Sequence, residues 1–162
     1  MIGGPPGAGK TTLAERAVRG AALFDPDAVR AELGGDWPAA LAATRERYLA
    51  RLAAGEGAVL VATALRHGHR LGYARDAARA GVPCHLLFVD ASADECRAAR
   101  AAQGEARICD GLFEHLLREW AALRRTLAAG EPLPEELASV TLLTRPEAAA
   151  VERIVLGRGR GG

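Results

Sequence analysis

Gly4-Pro5-Pro6-Gly7-Ala8-Gly9-Lys10-Thr11 decides the reading of this chain. Its spacing is G-x-x-x-x-G-K-T, placed between a short apolar start and an amphipathic stretch of helical period. Glycines allow a tight turn in which successive backbone N–H groups point inward, the geometry of an anion cradle. Pro5, Gly7, Ala8 and Gly9 form the cradle, and Lys10 reaches round to neutralise β- and γ-phosphate charge. The Thr11 hydroxyl is placed to hold Mg²⁺, and Thr12 continues the first helical turn against the phosphates. The helix that begins here aims its positive end at the same anion. A Gly-rich turn without a ligand is the plainer alternative. It leaves the full match at a strand-to-helix junction unexplained.

A second observation points the same way. Lys10 is the only lysine, against 20 arginines. Whatever bias turns lysine into arginine here has spared the one position that needs a compact ammonium rather than a planar guanidinium.

The remaining composition sets bounds. A length of 162 residues suits one domain over 1–157, followed by a Gly/Arg-rich tail over 158–162. The formal net charge of +1 provides no overall field for a long nucleic acid or a membrane surface. No apolar run reaches the ~18 residues of a membrane span, and no secretory signal is evident. Cys84, Cys96 and Cys109 have neither metal spacing nor a C-x-x-C pair, as in a reduced cytoplasmic protein. Only Met1, Ile2 and Gly3 precede the loop, so either the first strand is unusually short or further residues precede it.

Periodicity then lays out the elements. Helices are expected over 11–19, 28–33, 38–54, 66–80, 92–102, 110–129 and 146–156, and strands over 21–24, 58–62, 84–89 and 139–143. The run Ala58-Val59-Leu60-Val61-Ala62 is apolar throughout, as in a central parallel strand. Strands alternating with helices imply an α/β fold, a three-layer sandwich around a parallel five-stranded sheet with a short helical lid. Ligands of such sheets sit at the carboxyl ends of the strands.

Phe24-Asp25-Pro26-Asp27-Ala28-Val29-Arg30 therefore falls on the same sheet edge as the loop. Asp27 and Arg30 are three apart, on one face of a helical turn. The carboxylate could take a proton from an attacking hydroxyl while the arginine fixes an anionic group of the acceptor. An aspartate capping the helix, in an ion pair with Arg30, is the equally simple structural reading. His67, His69 and Arg70 fall in a later turn near the site and could contact an acceptor phosphate. H-x-H without a third ligand is weak as a metal pair. Trp37 could wall an acceptor pocket, while Phe113 and Trp120 read as core.

A phosphate loop, a strand and then D-x-x-R opening a helix resembles the polynucleotide-kinase and zeta-toxin group of small P-loop kinases, AAA-type ATP-binding kinase-like proteins. The stretches 59–70 (VLVATALRHGHR), 80–90 (AGVPCHLLFVD) and 96–107 are similar to the group's third strand, fourth strand and arginine-bearing lid. The resemblance implies ATP and Mg²⁺ as cofactors and a hydroxyl-bearing acceptor. It makes Lys10 the phosphate ligand, Asp27 the general base and Arg30 the residue that orients the acceptor. A lid arginine bridges the transferring phosphate, with Arg100 first, then Arg97 and Arg107. Arg145, after the last strand, would stack on adenine. Members of the group often carry an acid at the end of the third strand. Here Val61-Ala62-Thr63-Ala64 has none, so that role is either missing or supplied by Asp25, which would then join Thr11 at the metal. Asp90, after four apolar residues, has the look of a Walker B aspartate, but in the resemblance it lies at the fourth strand, before the lid, and is read as a helix-start or turn residue.

The resemblance leaves three functions: a kinase of a small molecule or of a nucleotide or nucleic-acid end, a nucleotide-binding switch or simple NTPase, and a toxin kinase acting on a nucleotide sugar and restrained by an antitoxin. Nothing in the chain marks a surface for that partner. Guanine specificity is disfavoured by the lack of N-K-x-D.

Overall fold

The computed structural model describes residues 1–103 and 108–156. Its elements, in chain order, are β1 (Ile2–Gly3), α1 (Lys10–Ala17), β2 (Ala22–Phe24), α2 (Pro26–Glu32), α3 (Trp37–Ala53), β3 (Ala58–Leu60), α4 (His67–Arg79), β4 (His85–Asp90), α5 (Ala93–Ala102), α6 (Asp110–Ala128), β5 (Ser139–Thr144) and α7 (Arg145–Ala150).

Every strand pairing is parallel. The strands form two ladders, β1-β4-β5 and β2-β3, instead of the single five-stranded sheet expected. One bridge, Ile2 to Val61, joins them, beside hydrogen bonds from Ala62 N to Ile2 O at 3.2 Å and from Gly4 N to Thr63 O at 3.0 Å. The physical reason is the length of β1. Two residues supply too few backbone groups to ladder along both edges at once.

The pleat alternation of the strands separates the two faces. Ile2, Val59, Val61 and Val89 pack on Leu13, Ala14 and Ala17 of α1, with Ala148 of α7 and Phe113 and Leu117 of α6 completing that cluster. On the other face Leu86 and Phe88 meet Trp120 and Leu123 of α6, and Leu60 meets Tyr48 and Leu52 of α3. Phe113 and Trp120 are thus core, as their helical spacing predicts. Trp120 also donates its indole N–H to Ala91 O at 3.1 Å, which satisfies its one polar atom. Tyr48 stands edge-on between Phe24 of β2 (6.0 Å) and Tyr73 of α4 (5.5 Å). With the bidentate Arg45–Asp76 pair, both bonds 2.9 Å, it fixes α3 on the sheet beside the candidate acceptor side.

The last helix is shorter than its composition predicts. α7 stops at Val151, which is extended, and Ile154 pairs with Val18 and donates to Ala17 O at 2.9 Å. Val151, Ile154 and Leu156 gain more by lying against the main core than by continuing a helix of β-branched residues. Arg16 caps the helix end, donating to Ala148 O and Val151 O at 2.6 Å each.

Candidate functional site

The loop is held from three sides. Gly4 approaches β4 so closely that a Cβ there would lie 2.5 Å from Val89 O, and its φ of 138° is open only to glycine. At Gly7 a Cβ would come within 3.1 Å of Cys96 O, so α5 lies directly on the loop. Ala8 N closes the turn on Pro5 O at 3.2 Å. Gly9, left-handed at φ 95°, then releases the chain into α1. The amides of Lys10, Thr11 and Thr12 open that helix and have no carbonyl one turn back, so they remain donors for a ligand.

Lys10 folds inward and donates to Pro5 O at 2.8 Å. The residue is half-buried as a whole, but the loop encloses its ammonium, and burial pushes the pKa down to about 8. Cys96, Asp25 and Asp27 act in the opposite direction, which places both aspartates in the electrostatic reach of the ammonium.

Thr11 and Asp25 are brought together: the Thr11 hydroxyl donates to Asp25 Oδ2 at 3.1 Å. The other oxygen of Asp25, Oδ1, accepts from Asp27 N at 2.9 Å, and this makes Asp25 the N-cap of α2. A hydroxyl and a carboxylate side by side at a phosphate loop are hard oxygen donors that fit Mg²⁺, which takes one or two protein ligands and fills its shell from waters and phosphates. The described residues contain no cluster of three or more His, Cys, Asp or Glu suited to a metal.

The cap settles one of the two sequence readings. Asp27 is not the capping residue, and no ion pair joins it to Arg30 among the described residues. Asp27 is exposed, and its carboxylate has no hydrogen-bond partner among the described residues. Arg30 instead donates from Nε to Gly35 O at 3.1 Å, with its guanidinium carbon 5.6 Å from the centre of the Trp37 ring. The D-P-D pattern itself carried the signal for Asp25, since proline favours the first helical position directly after an N-cap.

Behind the loop the expected histidine–arginine site takes another form. Arg70 is 3% exposed and cannot serve an acceptor phosphate. Its Nε donates to Glu135 Oε1 at 2.8 Å, and its Nη1 to Ala64 O at 3.1 Å and Leu65 O at 2.6 Å. His67 Nδ1 lies 2.7 Å from the same Glu135 oxygen, while Glu135 Oε2 is buried without a partner. His69 is exposed. Ala64 is held left-handed at φ 51° in this turn, and neighbouring Thr63 O accepts the Gly4 amide. Arg70 and Glu135 therefore brace the shoulder of the phosphate loop. The pair was not read from sequence, because 65 positions separate its members and only β5's approach brings them together.

The two described lid arginines are engaged by residues on either side of the lid, in α5 and at the start of α6. Arg100 donates to Ile108 O at 2.8 Å and Asp110 at 2.7 Å, and lies 4.5 Å over the ring of Phe113. Arg97 forms a fork to Glu114, with bonds of 3.1 and 2.9 Å, and a further bond to Asp94. Arg107 lies outside the described residues. Glu114 and Glu119, which as surface acids call for no partner, are both ion-paired, Glu119 with Arg66. Arg145 opens α7 at the sheet edge, within the electrostatic reach of Cys96 and Glu95 of α5. Asp90 is the last residue of β4 rather than a turn or helix start. It shares the face of Phe88 and pairs with Arg124 of α6 at 2.9 Å, while Ser92 caps α5 through a reciprocal box with Glu95.

A parallel α/β sheet whose first strand runs into a G-x-x-x-x-G-K-T loop and a helix defines a P-loop nucleotide-binding protein. Residues 1–129 match the model of the AAA domain, and the chain belongs to that P-loop kinase-like family. The match ends at the C-cap of α6, so β5 and α7 lie beyond it. No curated protein matches the chain. No helix among the described residues is long and apolar enough to cross a membrane.

Proposed function

We propose that the chain is an ATP-dependent kinase that moves the γ-phosphoryl group to a hydroxyl of a small molecule or of a nucleotide or nucleic-acid end. The observation that carries this reading is the state of Asp27. Asp25 performs the capping, so the exposed Asp27 carboxylate is free to do something else, one helical turn from Arg30 and near Lys10. A nucleotide switch has no use for such a group.

In this reading the loop amides and Lys10 hold the phosphates of ATP, and Thr11 with Asp25 holds Mg²⁺, which neutralises phosphate charge when bound. Arg30 fixes the acceptor. Asp27 accepts the hydroxyl proton as the acceptor oxygen bonds to the γ-phosphorus and the bond to ADP breaks. Positioning and charge neutralisation are most of what phosphoryl transfer asks of a protein. Arg100 or Arg97 would have to exchange its acidic partner for phosphate when the lid engages.

One observation favours a second reading. β3 leads into Val61-Ala62-Thr63-Ala64 without an acid. If Asp25 does not supply that charge, a nucleotide-binding protein or slow NTPase remains.

The test uses γ-labelled ATP and Mg²⁺ with a 5′-hydroxyl oligonucleotide, nucleosides, nucleotide sugars, sugars and aminoglycosides, and water as blank. Label is expected on one acceptor class, and Asp27→Asn is expected to lower transfer by ~10² or more with ATP binding intact. Label found only as free phosphate, in wild type and variant alike, would favour the NTPase reading.

A further inference from the structure

Trp37 is 41% exposed, whereas the other tryptophan, Trp120, is 3% exposed. An indole so open is not there to fill a core. It is the first residue of α3, directly after the N-cap Asp36, whose side chain accepts from Ala39 N at 3.2 Å. Its ring lies against the Arg30 guanidinium.

Two contacts constrain that guanidinium, and a backbone bond fixes the residue that accepts from it. The indole supports one face at 5.6 Å. Gly35 O accepts the Nε hydrogen at 3.1 Å, and Gly35 N closes back on Arg30 O at 2.9 Å. Gly35 adopts φ 99°, so its carbonyl is aimed by a backbone conformation that a side chain would strain. An Arg47–Glu32 bond of 2.8 Å holds α2 to α3 beside this joint. Arg30 Nη1 and Nη2 have no partner among the described residues. Arginine normally spends rotamer entropy to form a two-pronged contact with an oxyanion, and immobilising the side chain beforehand removes much of that cost.

We propose that Trp37 is a positioning residue that, with the Gly35 carbonyl, holds Arg30 as a ready fork for an oxyanion on the acceptor. The inference rests on the kinase reading of this edge, in which Arg30 fixes an anionic group of the acceptor, and adds to it the residue that holds Arg30 in place for that group. Cation–π support at an exposed site is worth a few-fold in binding. The effect sought is therefore modest, and a conservative variant has to discriminate it from damage.

The probe is labelled inorganic phosphate, measured by equilibrium dialysis with the loop saturated by a non-hydrolysable ATP analogue. Wild type is expected to bind one phosphate saturably, and Arg30→Gln to lose it. Trp37→Ala is expected to bind about fivefold more weakly, and Trp37→Phe, which restores an aromatic face, to stay within twofold of wild type, roughly the spread of such contacts. Analogue binding should be equal in all four proteins, which reports a folded loop. No phosphate bound by wild type, or Trp37→Ala equal to wild type, or Trp37→Phe as weak as Trp37→Ala, would overturn the proposal. Acceptor labelling is a separate readout. A protein that labels an acceptor yet binds no phosphate refutes this inference and leaves the kinase reading standing. One that binds phosphate through Arg30 and Trp37 but labels nothing refutes the kinase reading alone.

Discussion

Lys10 sets the pH response of the site. Its ordinary pKa of 10.5 falls to about 8 because the loop strips water from the ammonium. Between those two values the unfolded chain keeps this proton and the folded chain has lost it. The contribution to stability therefore rises with pH through that window and is least below about 8. Nucleotide binding runs the other way, since a polyphosphate in the loop recharges the ammonium. Affinity for ATP is expected to be flat below pH 8. Above that it should fall towards tenfold per pH unit, about the limit for one linked proton. Titration calorimetry from pH 7 to about 9.5, repeated in buffers of different ionisation enthalpy, measures both the decline and the proton uptake. An affinity unchanged over that range would mean that Lys10 keeps its proton without phosphate. Asp25 permits a cleaner separation. Asp25→Asn keeps a good capping side chain, so stability should move by no more than about 0.5 kcal/mol. The half-saturating Mg²⁺ concentration should rise about tenfold, because a charged oxygen ligand is lost. A variant that needs no more Mg²⁺ than wild type would remove Asp25 from the metal.

Among the elements, those with strong periodicity were legible. The long helix with Phe113, Leu117, Trp120 and Leu123 on one face appears as α6, within a residue of the expected bounds. The apolar run over 58–62 became the strand β3, Ala58–Leu60, because a strand covered on both faces has no polar side, and Val61 beyond it keeps a bridge to Ile2. What failed was the end of α7, where Val151 and Ile154 fit a helical stripe as well as an extended segment and the decisive contact lay on α1. Arg16 supplies it. Replacing Arg16 with alanine removes the guanidinium donor from Ala148 O and from Val151 O just past α7, at an expected cost of about 1 kcal/mol. Urea unfolding measures the loss. Arg16→Lys should recover only part of it, since one ammonium cannot span both carbonyls as a fork does. In the same way the D-x-x-R spacing does not show which aspartate caps α2. That is decided by which carboxylate reaches the Asp27 amide.

For the molecule as a whole, the buried Arg70–Glu135 pair joins α4 to the segment entering β5, and Arg70 also ties both to the turn after β3 through Ala64 O and Leu65 O. Arg70→Ala is expected to destabilise the protein by about 3 kcal/mol, the low end for a broken buried pair, because the buried Glu135 carboxylate then keeps only the His67 ring at 2.7 Å. The double replacement Arg70→Met with Glu135→Leu should lose far less, since no unpaired charge is left behind. Equilibrium unfolding distinguishes the two cases, and a double variant as unstable as the single one would show that the turn itself depends on the guanidinium. ATP affinity should drop in Arg70→Ala as well, through Ala64, Thr63 and the amide of Gly4. The parallel α/β plan was readable from the alternation of elements. The division of its strands into three and two was not, because it depends on the two-residue length of β1.

The position of Glu135 has a consequence for how the protein could be dissected. The AAA domain match covers residues 1–129, yet the acid that neutralises Arg70 and the strand that occupies the free edge of β4 both come later. A fragment cut at the family boundary would carry a stranded cation in its interior and six residues of bare β4 backbone. Such a fragment would seek its missing strand from other molecules, so aggregation, rather than independent folding, is its expected fate.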